Sequence, residues 1–166
     1  MDSGRRPWAV ATALAAYLAL AGPVLAAAIT GSPGADVLYG TIGADTIRGL
    51  GGNDAIHARA GNDVVYGGDG ADRIAGGYGA DQVYGGASAD ILFGGPGGDM
   101  VDGGSGADRI YGDAGADTLR GGPGWDVIVA AGDGVPDKIV CGDGVDIVFY
   151  GRGDVLAADC ERKFAR

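Results

Sequence analysis

Residues 67–86 read GGDGADRIAGGYGADQVYGG, and an aspartate, an aliphatic residue and a glycine pair return together in this stretch every nine residues. When the first position is set at Gly31, the same register holds from 31 to 129 without insertion or deletion and contains eleven units. Random drift in composition does not keep eleven acids in phase. The period therefore indicates a repeating three-dimensional unit.

Two positions of the unit are invariant in type, and two more are almost always glycine. Glycine occupies the first position in ten units, with Ala58 as the exception, and the fourth position in ten units, with Ser88 as the exception. The sixth position is aspartate in every unit: Asp36, Asp45, Asp54, Asp63, Asp72, Asp81, Asp90, Asp99, Asp108, Asp117 and Asp126. The eighth position is always aliphatic: Leu38, Ile47, Ile56, Val65, Ile74, Val83, Leu92, Val101, Ile110, Leu119 and Ile128.

Each unit divides into a turn and a short strand. Positions one to six are rich in glycine, which adopts the positive φ angles that other residues resist. Positions seven to nine form a strand whose middle side chain points inward while its neighbours face water. Each coil of eighteen residues contains two strands. Successive coils stack, so that the strands form two parallel sheets with about 4.8 Å between neighbouring strands, and the eleven units make about five and a half coils. The predicted fold class is all-β, a parallel β-roll or two-sheet β-solenoid.

Stacked turns bring the aspartates close together along each edge of the roll. The net charge is −10, and all the acidic residues except Glu161 are aspartate. Like charges a few ångströms apart repel strongly where the dielectric is low, so a cation is needed between them. Carboxylates and backbone carbonyls are an all-oxygen ligand set, which suits the flexible coordination of Ca²⁺ better than the strict octahedron of Mg²⁺. We therefore expect several Ca²⁺ ions along the two edges.

These units resemble the nonapeptide GGxGxDxUx of the RTX, or haemolysin-type, calcium-binding repeats, which form a parallel β-roll. The resemblance implies Ca²⁺ between successive turns on each edge, bound by turn carbonyls and by the eleven sixth-position aspartates. When the units are numbered along the chain, the turns of the six odd units leave five gaps on one edge and those of the five even units leave four gaps on the other. The ceiling is therefore nine ions in residues 31–129. Ala58 and Arg59 replace the leading glycines of unit 58–66, and Ser88 strains its turn. We expect the tightest ions between Gly67 and Val129.

Residues 1–28 have the pattern of a secretory signal peptide. Arg5 and Arg6 precede an apolar run at 8–21, and small residues follow with cleavage expected near Ala26 or Ala28. A retained membrane anchor is the alternative, because the apolar run is nearly long enough to span a bilayer. The pattern favours a secreted, extracellular protein with no membrane association after cleavage.

Residues 130–166 are expected to form degenerate repeats and a C-terminal cap. The spacing of Asp137, Asp146 and Asp154 departs from nine, and the segments DKIV and DIVF look like further strands. Asp137 and Asp146 are possible ligands. Cys141 and Cys160 form an even pair in a chain with an export signal, which predicts a disulfide that pins the cap. The tail is similar to the ends of small exported calcium-repeat proteins of actinobacteria.

The composition disfavours most catalytic and nucleic-acid functions. Such an acidic chain is a poor partner for nucleic acid or anionic membranes. His57, the single histidine, lies at an outward position without the partners that a catalytic base needs, so we predict no enzyme and no catalytic residues. The alternative function is an extracellular adhesion or matrix module, whose outer sheet face binds glycan or a protein partner. Its candidate surface is the outward ladders of Tyr66 over Tyr84 and Phe93 over Tyr111.

Overall fold

The computed structural model describes residues 26–130, 132–160 and 162–165. Residues 1–25 of the predicted signal peptide, which spans residues 1–28, lie outside the described part of the chain. Over these described segments, sixteen strands form two parallel sheets of eight strands each, which confirms the all-β two-sheet solenoid. Sheet A contains Ala28–Thr30 (β1), Thr46–Gly51 (β3), Val64–Asp69 (β5), Gln82–Ala87 (β7), Met100–Ser105 (β9), Thr118–Arg120 (β11), Lys138–Val140 (β13) and Val155–Leu156 (β15). Sheet B contains Val37–Tyr39 (β2), Ala55–Ala60 (β4), Arg73–Tyr78 (β6), Ile91–Pro96 (β8), Arg109–Ala114 (β10), Val127–Val129 (β12), Ile147–Tyr150 (β14) and Arg162–Ala165 (β16).

Successive strands alternate between the two sheets, so each strand pairs with the strand two further along the chain. The register in the repeat region is eighteen residues, as in the pairs Val65 with Val83 and Tyr66 with Tyr84. Equivalent positions of every second unit therefore lie directly above one another. This register places the turns of odd units on one edge of the roll and the turns of even units on the other.

The eighth-position side chains fill the space between the sheets, as the repeat predicts. From Ile47 to Ile128 each of them is completely buried. Leu38 in the first unit and Ile29 in β1 are only partly buried against this core, because they belong to the outermost coil. A line of stacked aliphatic residues is thus the hydrophobic core of the whole solenoid.

The solenoid is longer than the repeat count indicates, and its central strands are longer too. Eight strands per sheet exceed the five and a half coils expected, because the coil continues on both sides of residues 31–129. Ile29 pairs with Ile47 in register, one unit before Gly31. The central strands span six residues, since the backbone of the first three turn positions also pairs, as Leu50 does with Gly68.

The region after Val129 rejoins the solenoid after a small insertion. Asp117 and Asp137 occupy equivalent positions although they are 20 residues apart rather than eighteen, so the two extra residues are accommodated between Val129 and Asp137. The segments DKIV and DIVF supply β13 and β14, as predicted.

The disulfide between Cys141 and Cys160 is present, with the two Cα atoms 5.1 Å apart. Both cysteines are buried at the C-terminal end of the core. Closing this loop of 19 residues stabilises the fold by about 3 kcal/mol in the chain-entropy treatment. Across the described residues, no helix is long and apolar enough to cross a bilayer.

Candidate metal centre

The sixth-position aspartates form a hydrogen-bonded ladder along each edge of the roll. The backbone N–H of one aspartate donates to Oδ1 of the aspartate one coil further on, as Asp72 does to Asp90 at 2.7 Å and Asp81 to Asp99 at 2.8 Å. The ladder continues into the C-terminal region, where Asp117 donates to Asp137 and Asp126 to Asp146, both at 2.9 Å. We call the two ladders the odd rim, which starts at Asp36, and the even rim, which starts at Asp45.

The second carboxylate oxygen of the interior rim aspartates is buried and accepts no hydrogen bond from the described residues. Each of these aspartates is at most 3% exposed. The oxygen in question is Oδ2 of Asp54, Asp63, Asp72, Asp81, Asp90, Asp99, Asp108, Asp117 and Asp126. A buried charged oxygen without a partner carries a large desolvation cost, so the structure contains nine atoms that need a cation or a proton.

Seven of the nine orphan oxygens, all except those of Asp63 and Asp117, face a small space that is also lined by a backbone carbonyl. A Cβ atom added to Gly76 would lie 2.7 Å from Oδ2 of Asp81 and 2.7 Å from the carbonyl oxygen of Gly94. The same two kinds of oxygen surround the equivalent point at Gly94, at 2.7 and 2.8 Å. Glycine at the first position therefore keeps a carboxylate and a carbonyl close together with no side chain between them.

Glycines at the second and fourth positions shape the turns through positive φ angles. Gly77 and Gly79 have φ of 108° and 131°, in a region that disfavours residues with a Cβ. Arg59 and Ser88, which replace glycines of the repeat, both have φ of 83°, and for Ser88 this is the strained turn that the sequence predicts. Leu50 and Asp113 share this conformation. The repeat pattern did not lead us to predict these two strained residues, although both stand at the second position, where other units have glycine.

Burial raises the pKa of the eight rim aspartates from Asp63 to Asp126 above their ordinary value of 3.8. Desolvation is the largest cause, and the charges of neighbouring rim aspartates add to it for most of them. It raises the pKa of Asp90 and Asp117 to about 7, and that of Asp63, Asp72, Asp99 and Asp126 to about 6. Their backbone hydrogen bonds lower the pKa but do not outweigh burial.

Basic side chains do not neutralise these carboxylates. Within the described ranges, the one ion pair joins Arg120 to Asp102 at 3.9 Å, and Asp102 is a ninth-position residue outside the rims. The ligand set of each interior gap is thus carboxylate and carbonyl oxygen, with negative charge in excess. Hard oxygen ligands in this arrangement fit Ca²⁺, and turn carbonyls and Oδ2 atoms would hold the ion.

The first turn of each rim differs, because its aspartate has donors within its own turn. The backbone N–H and the hydroxyl of Ser32 both donate to Oδ2 of Asp36, at 2.5 and 2.9 Å. Thr41 donates its N–H to Oδ2 of Asp45 at 2.5 Å and its hydroxyl to Oδ1 at 3.0 Å. These contacts were not predicted from the sequence. The available signal was a hydroxyl residue at the second position in the first two units.

The outer faces carry the predicted aromatic ladders. The rings of Tyr66 and Tyr84 stack at 5.0 Å, and those of Phe93 and Tyr111 at 4.8 Å. Arginine side chains cover two of these rings, with Arg48 over Tyr66 at 5.3 Å and Arg73 over Phe93 at 4.8 Å.

His57 also lies on an outer face, and its ring stacks on Tyr39 at 5.3 Å. This stacking is typical of a residue that supports the sheet surface.

The stacked turns with acidic rims define a parallel β-roll of the calcium-binding class. The family described as RTX calcium-binding nonapeptide repeat (4 copies) matches residues 30–65, 66–101 and 102–134. These matches cover more than half of the chain, and the protein belongs to the RTX calcium-binding repeat family. No curated protein matches the chain. Membership indicates calcium binding by a structural, non-catalytic module.

Proposed function

We propose that this protein is a secreted calcium-binding β-roll whose folding is driven by Ca²⁺ and which carries no catalytic activity. The observation that carries the proposal is the row of nine buried Oδ2 atoms without hydrogen-bond donors in the described part of the chain. Their charges oppose stacking of the turns unless a cation lies between them. The ions are assigned to the gaps between successive turns of each rim, for which the eleven repeat units set a ceiling of nine.

Calcium and folding are coupled in this proposal because the ligands come from turns that meet only in the folded roll. The metal-free chain has to order many glycines, which lose more backbone entropy than other residues. It also has to bring the rim carboxylates together. Binding free energy therefore becomes folding free energy. For an extracellular module we expect site dissociation constants on the order of 10⁻⁴–10⁻³ M.

Circular dichroism in the far ultraviolet tests this coupling. In excess chelator at pH 7.5 we expect a largely disordered spectrum, and in millimolar CaCl₂ a β-sheet spectrum. The same concentration of MgCl₂ serves as the control, because Mg²⁺ retains its waters and fits the flexible site poorly. A full β-sheet spectrum in excess chelator would contradict calcium-driven folding. Calorimetric titration of the chelated protein then counts the ions.

Export is the remaining part of the proposal and rests on the leader pattern at 1–28 and on the disulfide. Disulfides persist mainly in oxidising compartments outside the cytosol. Expression of the full chain in a bacterium with a functional secretion pathway, followed by fractionation, tests this part. The protein is expected in the medium or periplasm, and its retention in the cytoplasm or membrane would contradict secretion.

The aromatic ladders favour a second candidate function, an adhesion or matrix module. Tyr66 is 39% exposed and Tyr39 is 51% exposed although an arginine side chain lies over each ring, so part of each ring remains accessible to a sugar or a partner protein. A glycan array probed with the calcium-loaded protein tests this function, with Tyr84→Ser as the matched variant. Binding that the variant loses would support the module, whereas no binding at all leaves calcium binding alone.

A further inference from the structure

The even rim, which starts at Asp45, is preceded in the chain by a segment without an aspartate at the equivalent position. Residues 22–30 are in register with the repeat, and Ala27 stands where later units have their sixth-position aspartate. Ala27 nevertheless occupies the same place in the ladder, because its backbone N–H donates to Oδ1 of Asp45 at 2.7 Å. The gap between Ala27 and Asp45 therefore has only one carboxylate, that of Asp45, and this carboxylate faces the backbone nitrogen of Ala27.

The same short segment holds the first strand in register. The carbonyl oxygen of Ala27 accepts the N–H of Thr46 at 2.8 Å, and Ala28 pairs with Thr46 in β1. Ala26 is exposed and precedes the strand. A cut after Ala28 would delete both contacts of Ala27 and the first residue of the strand. A cut after Ala26 would keep all of them.

We propose that the leader is removed between Ala26 and Ala27, so that the new N-terminal ammonium of Ala27 forms an ion pair with Asp45 and closes the even rim without metal. This inference rests on the proposed export. A signal peptidase adds water across the peptide bond, Ala26 leaves as a carboxylate, and the nitrogen of Ala27 takes up the proton. One neutral N–H donor becomes a cation with three donors, 2.7 Å from Oδ1 of Asp45.

The charge balance at this end of the rim explains why an ammonium fits there. Thr41 already donates to both oxygens of Asp45, so this carboxylate is not an orphan like those of the interior turns. A single carboxylate whose oxygens already accept several hydrogen bonds has little capacity left to coordinate Ca²⁺, which needs six to eight oxygen ligands. A single positive charge balances it, and charge-assisted hydrogen bonds are the strong ones.

Sequencing and intact mass of the exported protein test the cleavage position. The full chain is expressed in a secreting bacterium, and the processed protein is expected to begin at Ala27. A start at Ile29 would overturn the inference while leaving calcium binding and export intact. An uncut chain would overturn both the inference and the export on which it depends.

A second measurement tests the ammonium itself. Two proteins, one beginning at Ala27 and one at Gly22, are compared in millimolar CaCl₂ with and without Asp45→Asn. In the second protein the nitrogen of Ala27 is an uncharged peptide group. We expect Asp45→Asn to lower the melting temperature by about 3–6 °C more in the protein that begins at Ala27. Asp36→Asn, on the other rim, is the control and should cost the same in both. Equal effects of Asp45→Asn would overturn the ion pair.

Discussion

The rim aspartates have different hydrogen-bond partners at the N-terminal end of a rim and in its interior. Asp45, in the second turn, accepts hydrogen bonds from Ala27 and twice from Thr41. Asp90, in an interior turn, accepts one at Oδ1 from Asp72, and its Oδ2 atom is buried without a donor. Both aspartates accept one backbone N–H at Oδ1 from the preceding coil, and the difference lies at the second position of the turn, where Thr41 supplies two further donors. An aspartate in the repeat therefore requires a cation only where the chain supplies no other donor.

The largest effect that can test this contrast is the pH dependence of the metal-free chain. The pKa of Asp90 and Asp117 is raised to about 7 in the folded state, above the ordinary 3.8. A carboxyl whose pKa is raised on folding stabilises the fold below its unfolded pKa, and this contribution is lost as the pH rises through the folded value. Metal-free protein should thus hold more β structure near pH 4 than at pH 7.5, by circular dichroism.

Protein stripped on a chelating resin is suited to that measurement, since soluble chelators weaken in acid. Calcium added at pH 7.5 should restore the β structure, because the ion replaces the proton at the rims. Greater order of the metal-free protein at pH 7.5 than at pH 4 would be incompatible with buried, unpaired carboxylates.

Single substitutions sharpen the comparison between interior and terminal turns. Asp90→Asn keeps an oxygen for the Asp72 N–H but removes the charge that faces the adjacent gaps. We expect the calorimetric ion count to fall by about one or two, because calcium affinity follows ligand charge. Asp45→Asn is the matched terminal variant and should leave the count unchanged. Equal losses in the two variants would mean that both turns bind calcium alike.

The close approach of carboxylate and carbonyl at the first position can be tested with one methyl group. Gly76→Ala would place a Cβ 2.7 Å from both Oδ2 of Asp81 and the carbonyl oxygen of Gly94. We expect a loss of about 3 kcal/mol in the free energy of unfolding of the calcium-loaded protein. Gly132→Ala is the control, since no described atom beyond its two chain neighbours lies within 4 Å of its added Cβ, and it should change stability by less than about 0.5 kcal/mol.

The smallest expected effect concerns the irregular turn at Ser88. Its φ of 83° costs a residue with a Cβ about 1 kcal/mol relative to glycine. Ser88→Gly should therefore raise the free energy of unfolding by about that amount. Ser105→Gly, at the last residue of β9, serves as the control and should lower it, because glycine loses more backbone entropy on folding than serine does. Stabilisation by both variants would show that the turn conformation is not the cause.

Much of the fold could be predicted because the same pattern of residue types recurs in eleven consecutive units. The phase of the aspartates and aliphatic residues predicted the two parallel sheets, the line of core residues from Ile47 to Ile128 and the outward ladders. The metal ligands remain a prediction, and the structure adds the buried Oδ2 atoms as their support. The additional strand at Ile29 was not predicted, because Ala27 stands where all eleven repeat units have an aspartate.

The sequence by itself determined the period, the inward and outward faces and the acidic character of the turns, since these depend only on which residue types recur and how far apart. The tertiary structure alone decided which carboxylate oxygens lack donors, because that depends on contacts between turns eighteen residues apart and on the hydroxyls of Ser32 and Thr41. It also decided that Asp137 rejoins the even rim, since a two-residue insertion disturbs the spacing but not the stacking of strands.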